Sequence, residues 1–175
     1  MMNILDGERI KFKQQWANEI IPGKMWLGSG THASNIEELR TRHITRILNV
    51  ADDVENFHES EGIVYENLNV TDFGQDKGIM RVFPQAFRFL QTASDENQPT
   101  LVHCAAGANR SATVVIAWLM YSQSLTLFDA WKFVKSIKKG VCPMNDNRRQ
   151  LLMYERELYH GVSSFVSDEN FITMR

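Results

Sequence analysis

One segment constrains the fold more than any other: a short apolar run, a loop of small residues and a longer apolar run, between residues 100 and 121. Residues 100–103 have the length and composition of a buried strand. Residues 110–121 have those of a helix that is buried on most sides. A strand that leads into a buried helix is the unit from which folds with a parallel sheet are built, so the segment predicts an α/β architecture.

The rest of the chain alternates in the same way. Short apolar stretches predict further strands at residues 24–28, 46–51 and 63–70. Apolar stripes with helical spacing predict helices at residues 33–42, 77–92, 126–139 and 145–160. We therefore expect a central, mostly parallel, twisted sheet of about five strands, flanked by helices.

Two breaks separate the chain ends from this domain. The Pro22-Gly23 pair follows a stretch of loosely helical apolar spacing, and Gly161 follows the last predicted helix. We expect an N-terminal helical extension over residues 1–20, whose helix covers residues 3–19, and one domain over residues 21–160. Residues 161–175 are expected to form a polar, loosely ordered tail.

Composition and charge narrow the range of partners. The 175 residues carry a formal net charge of -2, which favours neither bulk nucleic-acid binding nor attraction to an anionic membrane. No apolar run approaches the ~20 residues that span a bilayer, and the N-terminus has no signal-peptide pattern. We therefore expect neither a nucleic acid nor a membrane as a partner.

The cysteines Cys104 and Cys142 are too few for a disulfide framework, so we expect a reducing setting, cytoplasmic or nuclear. Neither they nor the five scattered histidines have metal-ligand spacing, so no metal is expected. Cys142 stands beside Pro143 in a predicted turn. We interpret it as an inertly packed thiol, and the alternative is a redox partner of Cys104.

The loop between the strand and the buried helix has the composition of an anion-binding site. Its small residues leave the inside of the backbone curve open, so N–H groups can converge on one centre. The positive end of the following helix adds to this field. We expect a tetrahedral oxyanion to bind to this loop, through Ala105, Ala106, Gly107, Ala108, Asn109 and Arg110.

The same field acts on the cysteine that opens the loop. Convergent N–H groups and a guanidinium favour a thiolate at Cys104, which would be a nucleophile aimed at phosphorus. The planar fork of Arg110 is expected to hold two phosphate oxygens. Ser111 is expected to donate to the sulfur and make it a better leaving group, unless it only caps the helix. His103 is expected to orient the loop by hydrogen bonds to the backbone and not to transfer protons during the reaction.

An ester leaving group also needs a proton, and Asp72 is the candidate donor. It follows the predicted strand at residues 63–70, and side chains that follow parallel strands gather at one edge of the sheet. Asp72 would then act as the base for the attacking water. Asp76 is the second candidate, and a plain turn before Gly74 is the other interpretation of Asp72.

Residues 103–111 resemble the signature of the dual-specificity branch of the cysteine-dependent protein phosphatases: His-Cys, five residues, Arg, then Ser or Thr. The resemblance covers about residues 20–160 and is closest to the small, atypical members, which carry no added docking domain. It implies that residues 21–160 form a catalytic domain without metal or cofactor. It also implies protein substrates phosphorylated on tyrosine, serine or threonine.

The chain departs from this pattern at Asn109, where Ser is common, and this arrangement is also associated with RNA 5′-triphosphatases. Those enzymes do not depend on an equivalent of Asp72, and clustered positive charge for RNA is lacking, so an RNA 5′-phosphatase is the alternative activity. The loop has no basic residue before Arg110, which argues against a highly charged lipid headgroup. A non-catalytic phospho-binding module is the other alternative, and retention of both Cys104 and Arg110 argues against it.

A group of basic residues lies near the end of the helix predicted at residues 126–139. We interpret it as a solvated face, and the alternative is a docking patch for acidic substrates that Arg148 and Arg149 would extend. Its members are Lys132, Lys135, Lys138 and Lys139.

Overall fold

The computed structural model describes residues 16–72 and 78–174, and the strands in these ranges form one five-stranded sheet. The strands are β1 (Asn18–Ile21), β2 (Met25–Ser29), β3 (Arg46–Ala51), β4 (Val64–Val70) and β5 (Thr100–Cys104). Their order is β1-β2-β5-β3-β4, and only β1 runs antiparallel to its neighbour. The predicted α/β class and mostly parallel sheet are confirmed.

Helices cover both faces of the sheet. They are α1 (Gly30–Ala33), α2 (Ile36–Thr41), α3 (Phe83–Asp95), α4 (Arg110–Gln123), α5 (Leu127–Ile137), α6 (Asn145–Leu158) and α7 (Asp168–Ile172). Short 3-10 turns lie at Glu59–Glu61 and Ile79–Val82. The first two helices pack on one face and the other five pack around the opposite face.

Alternation along β5 separates two hydrophobic cores. Leu101 packs with Trp26 and Ile47 in the smaller core under α1 and α2, whereas Val102 faces the larger core around α4. Every residue from 110 to 120 is buried, as the continuous apolar run predicted. The central strand and the central helix therefore fix both ends of the loop that joins them.

The structure corrects the prediction for the N-terminal helix. Most of residues 3–19 lies outside the described residues, but the end of that stretch is the strand β1, not helix. Ile20 is buried, and β1 pairs with the free edge of β2 through a turn at Pro22-Gly23. Hairpin pairing with the next strand, β2, thus outweighs the local helical spacing of this stretch.

The C-terminal prediction was also wrong within the described residues. The tail is not loosely ordered, because α7 docks on the domain and buries Phe171 completely. The guanidinium of Arg148 donates to the carbonyl oxygens of Phe171 at 2.8 Å and of Ile172 at 3.0 Å. The polar composition of the tail gave no sign that Phe171 would be buried or that Arg148 would donate to the last carbonyls.

Two predicted helices begin or divide elsewhere. The helix predicted at residues 33–42 is divided: Ala33 is the last residue of α1, and a second helix, α2, begins at Ile36. The side chain of Asn35 caps α2 by accepting from the Glu38 N–H at 3.2 Å. The helix predicted from residue 77 begins at Phe83, with Pro84 in its first turn. Proline is tolerated there because N–H groups of the first turn have no acceptor within the helix.

Candidate active site

Cys104 ends the central strand β5, and its side chain points into the loop that follows. The residue is only 2% exposed. Its Sγ accepts a hydrogen bond from the N–H of Gly107 at 3.3 Å and another from the hydroxyl of Ser111 at 3.1 Å. Both donors stabilise negative charge on the sulfur, since each aims a positive hydrogen at it.

The loop keeps its curve because other backbone segments hold it from outside. The carbonyl oxygen of Ala105 accepts from the N–H of Gly30 at 3.1 Å, and that of Ala108 accepts from the N–H of Cys142 at 2.8 Å. Gly107 has a φ of +71°, and a Cβ there would overlap the carbonyl of Gly28. Only glycine fits this position, which explains the residue that the sequence places there.

Arg110 begins α4 and is 1% exposed. Its Nη1 donates to Oδ1 of Asp53 at 2.7 Å and to the carbonyl oxygen of Val70 at 3.0 Å, and it lies 3.4 Å from Oδ1 of Asp52. Its Nε and Nη2 are buried and make no hydrogen bond within the described part of the chain. These two nitrogens carry three of the five N–H groups of the guanidinium, in a buried position beside the loop.

Asp72 lies at the same end of the sheet, as expected for a residue that follows a parallel strand. Its Oδ1 accepts a hydrogen bond from Nδ2 of Asn109 at 2.8 Å and lies 3.3 Å from Nε of Arg110. The side chain is 29% exposed, so it reaches both the loop and the solvent. Asp76, the second candidate acid, lies outside the described residues.

His103 is fully buried immediately before the cysteine. Its Nδ1 lies 3.4 Å from the carbonyl oxygen of Cys104, and its Nε2 has no partner among the described residues. Burial lowers the pKa of His103 from 6.5 to about 4, which leaves the ring neutral at physiological pH. This placement agrees with a residue that orients the loop and does not transfer protons during the reaction.

A cleft of about 700 Å³ opens beside Asp72 and Ile79 and is closed on its far side by the segment around residues 142–150. Asn109 contacts this segment, because its Oδ1 accepts from the Met144 N–H at 2.7 Å and from Asn147 Nδ2 at 2.8 Å.

Several residues outside the loop differ from the sequence-based expectation in how far they are exposed to solvent. Cys142 is exposed, and its Sγ lies 3.7 Å from Nη2 of Arg148, a residue that is buried and so cannot extend a solvated basic patch. Two of the four lysines are half-buried: Lys135 donates to the Val141 carbonyl at 2.8 Å, and Lys138 donates to Asn18 at 3.3 Å.

Sequence reasoning missed the partners of Arg110. Asp52 and Asp53 directly follow β3, so the rule that pointed to Asp72 after β4 applies to them as well. Within residues 16–72 and 78–174, no cluster of three or more potential ligands could hold a metal ion. None of the helices in these ranges is both long enough and apolar enough to span a membrane.

A mostly parallel sheet whose central strand delivers a buried cysteine into a loop closed by arginine defines the class of cysteine-dependent phosphatase domains. The model of the family "Dual specificity phosphatase, catalytic domain" matches residues 25–157, and the chain belongs to this family.

Known proteins agree with this assignment. The chain is 41% identical over 142 residues to the Drosophila melanogaster dual specificity protein phosphatase Mpk3, covering 80% of this chain and 34% of that protein. The crystal structure of human DUSP28 superposes with a TM-score of 0.77 at 25% identity, covering 83% of this chain and 96% of that one. A mouse putative dual specificity phosphatase complexed with zinc tungstate gives a TM-score of 0.75 at 25% identity, covering 83% and 89%.

Proposed function

We propose that this protein hydrolyses phosphate monoesters on tyrosine and on serine or threonine side chains of proteins, through a cysteinyl-phosphate intermediate. One observation carries the proposal. The buried Nε and Nη2 of Arg110 make no hydrogen bond in the described chain, although Nε lies 3.3 Å from Oδ1 of Asp72, and they accompany a sulfur that accepts from Gly107 and Ser111. Buried donors of this kind are normally satisfied, so the arrangement is complete only with an oxyanion bound.

In the first step, Sγ of Cys104 attacks phosphorus as a thiolate, and the bond from phosphorus to the ester oxygen breaks. Asp72 supplies the proton that this oxygen takes, so a neutral alcohol or phenol departs. The developing charge on the phosphoryl oxygens is stabilised by loop N–H groups and by the Arg110 fork.

In the second step, water attacks the phosphocysteine while Asp72, now a carboxylate, accepts a proton from it. The bond from sulfur to phosphorus breaks, and the electron pair returns to sulfur as a thiolate. The hydroxyl of Ser111, 3.1 Å from Sγ, stabilises that departing anion. Inorganic phosphate leaves, and the free enzyme is restored.

Several features support a protein substrate. The cleft of about 700 Å³ is lined by Asp72, the candidate acid, and offers room for a peptide. The tungstate bound by the mouse relative is a tetrahedral oxyanion, of the shape that the loop suits. The relatives are named as protein phosphatases, although this chain spans about a third of the first of them. The scarcity of cysteines supports a site of action in the cytosol or nucleus.

The side chain of Asn109 originally raised the alternative of an RNA 5′-phosphatase. Both of its polar atoms are engaged with Asp72, Met144 and Asn147, which supports a role inside the protein rather than contact with RNA. A net charge of -2 also offers little for an RNA backbone.

The test compares phosphate release from a phosphotyrosyl peptide, a phosphothreonyl peptide and a 5′-triphosphorylated RNA. We expect release from the peptides, none above background from the RNA, and loss of all turnover in Cys104→Ser. Release from the RNA alone would replace the proposal by the RNA activity. Binding of phosphopeptide without any release would replace it by the phospho-binding module.

A further inference from the structure

Asn109 occupies the point where three parts of the active site meet: the loop, the residue after β4 and the start of α6. Its side chain makes three hydrogen bonds of 2.7 to 2.8 Å, to Asp72, Met144 and Asn147. No other side chain of the loop from residue 104 to residue 109 can make such contacts, because the rest are Cys, Ala and Gly.

The orientation of the Asn109 amide follows from its partners. The backbone N–H of Met144 can only donate, so the atom that faces it must be the carbonyl oxygen of Asn109. Asn147 donates to that same oxygen through Nδ2. The amide nitrogen is therefore turned towards Asp72, where it donates to Oδ1.

This bond distinguishes the two oxygens of Asp72. Oδ1 is held by Asn109 and lies 3.3 Å from Nε of Arg110. Oδ2 makes no hydrogen bond to any residue in the described ranges, so it is the oxygen that is free to carry a proton. An acid held in this way loses less orientational freedom when the leaving oxygen arrives.

We infer that Asn109 is a positioning residue for the general acid: with Met144 and Asn147 as its anchors, it fixes Asp72 so that Oδ2 faces the leaving group. This inference rests on the proposed phosphatase activity. A serine at position 109 has a shorter side chain and one donor hydrogen, so it could not span from Asp72 to both anchors. The chain therefore couples its acid to the start of α6.

The experiment uses leaving groups to separate positioning of the acid from general support of the loop. Phenyl phosphate needs a proton on its departing oxygen, whereas 2,4-dinitrophenyl phosphate releases a stable phenolate without one. Asn109→Ala should slow phenyl phosphate turnover at least ~10-fold more than dinitrophenyl phosphate turnover, part of the ~10²–10⁴-fold that general acids supply. A side chain that only supports the loop would slow both esters equally, which would overturn the inference.

A double-mutant cycle with Asp72→Asn gives an independent readout. Because Asn109 is proposed to act through Asp72, Asn109→Ala should add less than about twofold to the loss already caused by Asp72→Asn. Full additivity would contradict the inference. Asn147→Ala removes one anchor while leaving the loop sequence intact, and should show the same ester selectivity at smaller size. If Asn109→Ala does not fold, the ester selectivity of Asn147→Ala tests whether Asn109 positions Asp72.

The two proposals fail in different ways. A wild-type protein that hydrolyses neither ester, or hydrolyses both without Cys104, would overturn the proposed function and this inference with it. Equal slowing of both esters by Asn109→Ala, in an enzyme that depends on Cys104, would overturn this inference alone.

Discussion

The guanidinium of Arg110 donates through Nη1 to Oδ1 of Asp53 at 2.7 Å, although Arg110 is 1% exposed and the Asp53 side chain is 57% exposed. The hydrogen bond from Arg110 lowers the pKa of Asp53 below its usual value, so the carboxylate stays charged at neutral pH. Nη1 is thereby occupied, whereas Nη2 and Nε, which lies 3.3 Å from Oδ1 of Asp72, make no hydrogen bond among the described residues. In the proposed mechanism, these two nitrogens hold the oxyanion.

Asp53→Asn should lower kcat/KM roughly fivefold, the equivalent of about 1 kcal/mol, because a partly exposed charged partner of Arg110 is worth no more than that. The matched control is Glu55→Gln, which removes a negative charge from the same exposed segment but has no ion pair with Arg110. Equal effects of the two substitutions on steady-state kinetics would show that only the local charge matters.

Gly107→Ala should abolish turnover, because the new Cβ would meet the backbone of Gly28 and the φ of +71° is unfavourable for alanine. Gly23→Ala separates these causes, since Gly23 has a similar φ of +68° but nothing within 4 Å of its Cβ position. It should reduce the free energy of unfolding by about 1 kcal/mol and leave kcat unchanged. An active Gly107→Ala enzyme would contradict the loop geometry.

The buried, neutral His103 makes stability depend on pH. Its pKa is 6.5 when unfolded and about 4 when folded, so between these values the unfolded chain binds the extra proton. Stability is therefore lost as the pH falls through this window, by an amount on the order of 3 kcal/mol. It does not change on this account above pH 6.5.

Urea unfolding between pH 7 and pH 4 tests this dependence in the wild type and in His103→Gln. The glutamine variant cannot take up the proton, so its free energy of unfolding should fall less steeply with decreasing pH. Parallel curves for the two proteins would mean that His103 is not held neutral by burial.

Arg148 joins the C-terminal segment to the domain through its hydrogen bonds to backbone carbonyls, including Pro143 at 2.8 Å and Phe171 at 2.8 Å. Arg148→Ala leaves these buried acceptors without partners and should reduce the free energy of unfolding by about 2–4 kcal/mol. Arg149→Ala is the control, because Arg149 is 55% exposed and its one ion pair within residues 16–72 and 78–174 is with Asp146. Its effect, measured by urea unfolding, should stay within about 0.5 kcal/mol, and a similar loss in both variants would refute this role.

Local patterns predicted the parts of the fold that depend on local composition. The strand at residues 46–51 has the bounds that its apolar run gave, and α4 is buried throughout its first eleven residues because it has no polar face. The strand β1 was missed, because its conformation depends on pairing with β2 and not on its own spacing. The polar sequence of α6 predicts an exposed side chain for Arg148. It is buried because it donates to backbone carbonyls of the C-terminal segment, which the sequence pattern does not reveal.

The candidate site divides in the same way. Cys104, Arg110 and Ser111 come from one continuous segment, so the sequence alone predicted their proximity. Asp72 was placed near them because side chains that follow parallel strands gather at one edge of the sheet. The side-chain bonds of Asn109 could not be predicted, because they depend on how α6 meets the loop. That junction is set by packing between distant segments.

Rapid acid quenching of the enzyme during turnover of a ³²P-labelled phosphotyrosyl peptide tests the central chemical claim most directly. We predict label on the protein within one turnover, mapped by peptide digestion to Cys104, and none in Cys104→Ser. Label on another residue, or steady phosphate release from the Cys104→Ser protein, would contradict nucleophilic attack by this sulfur.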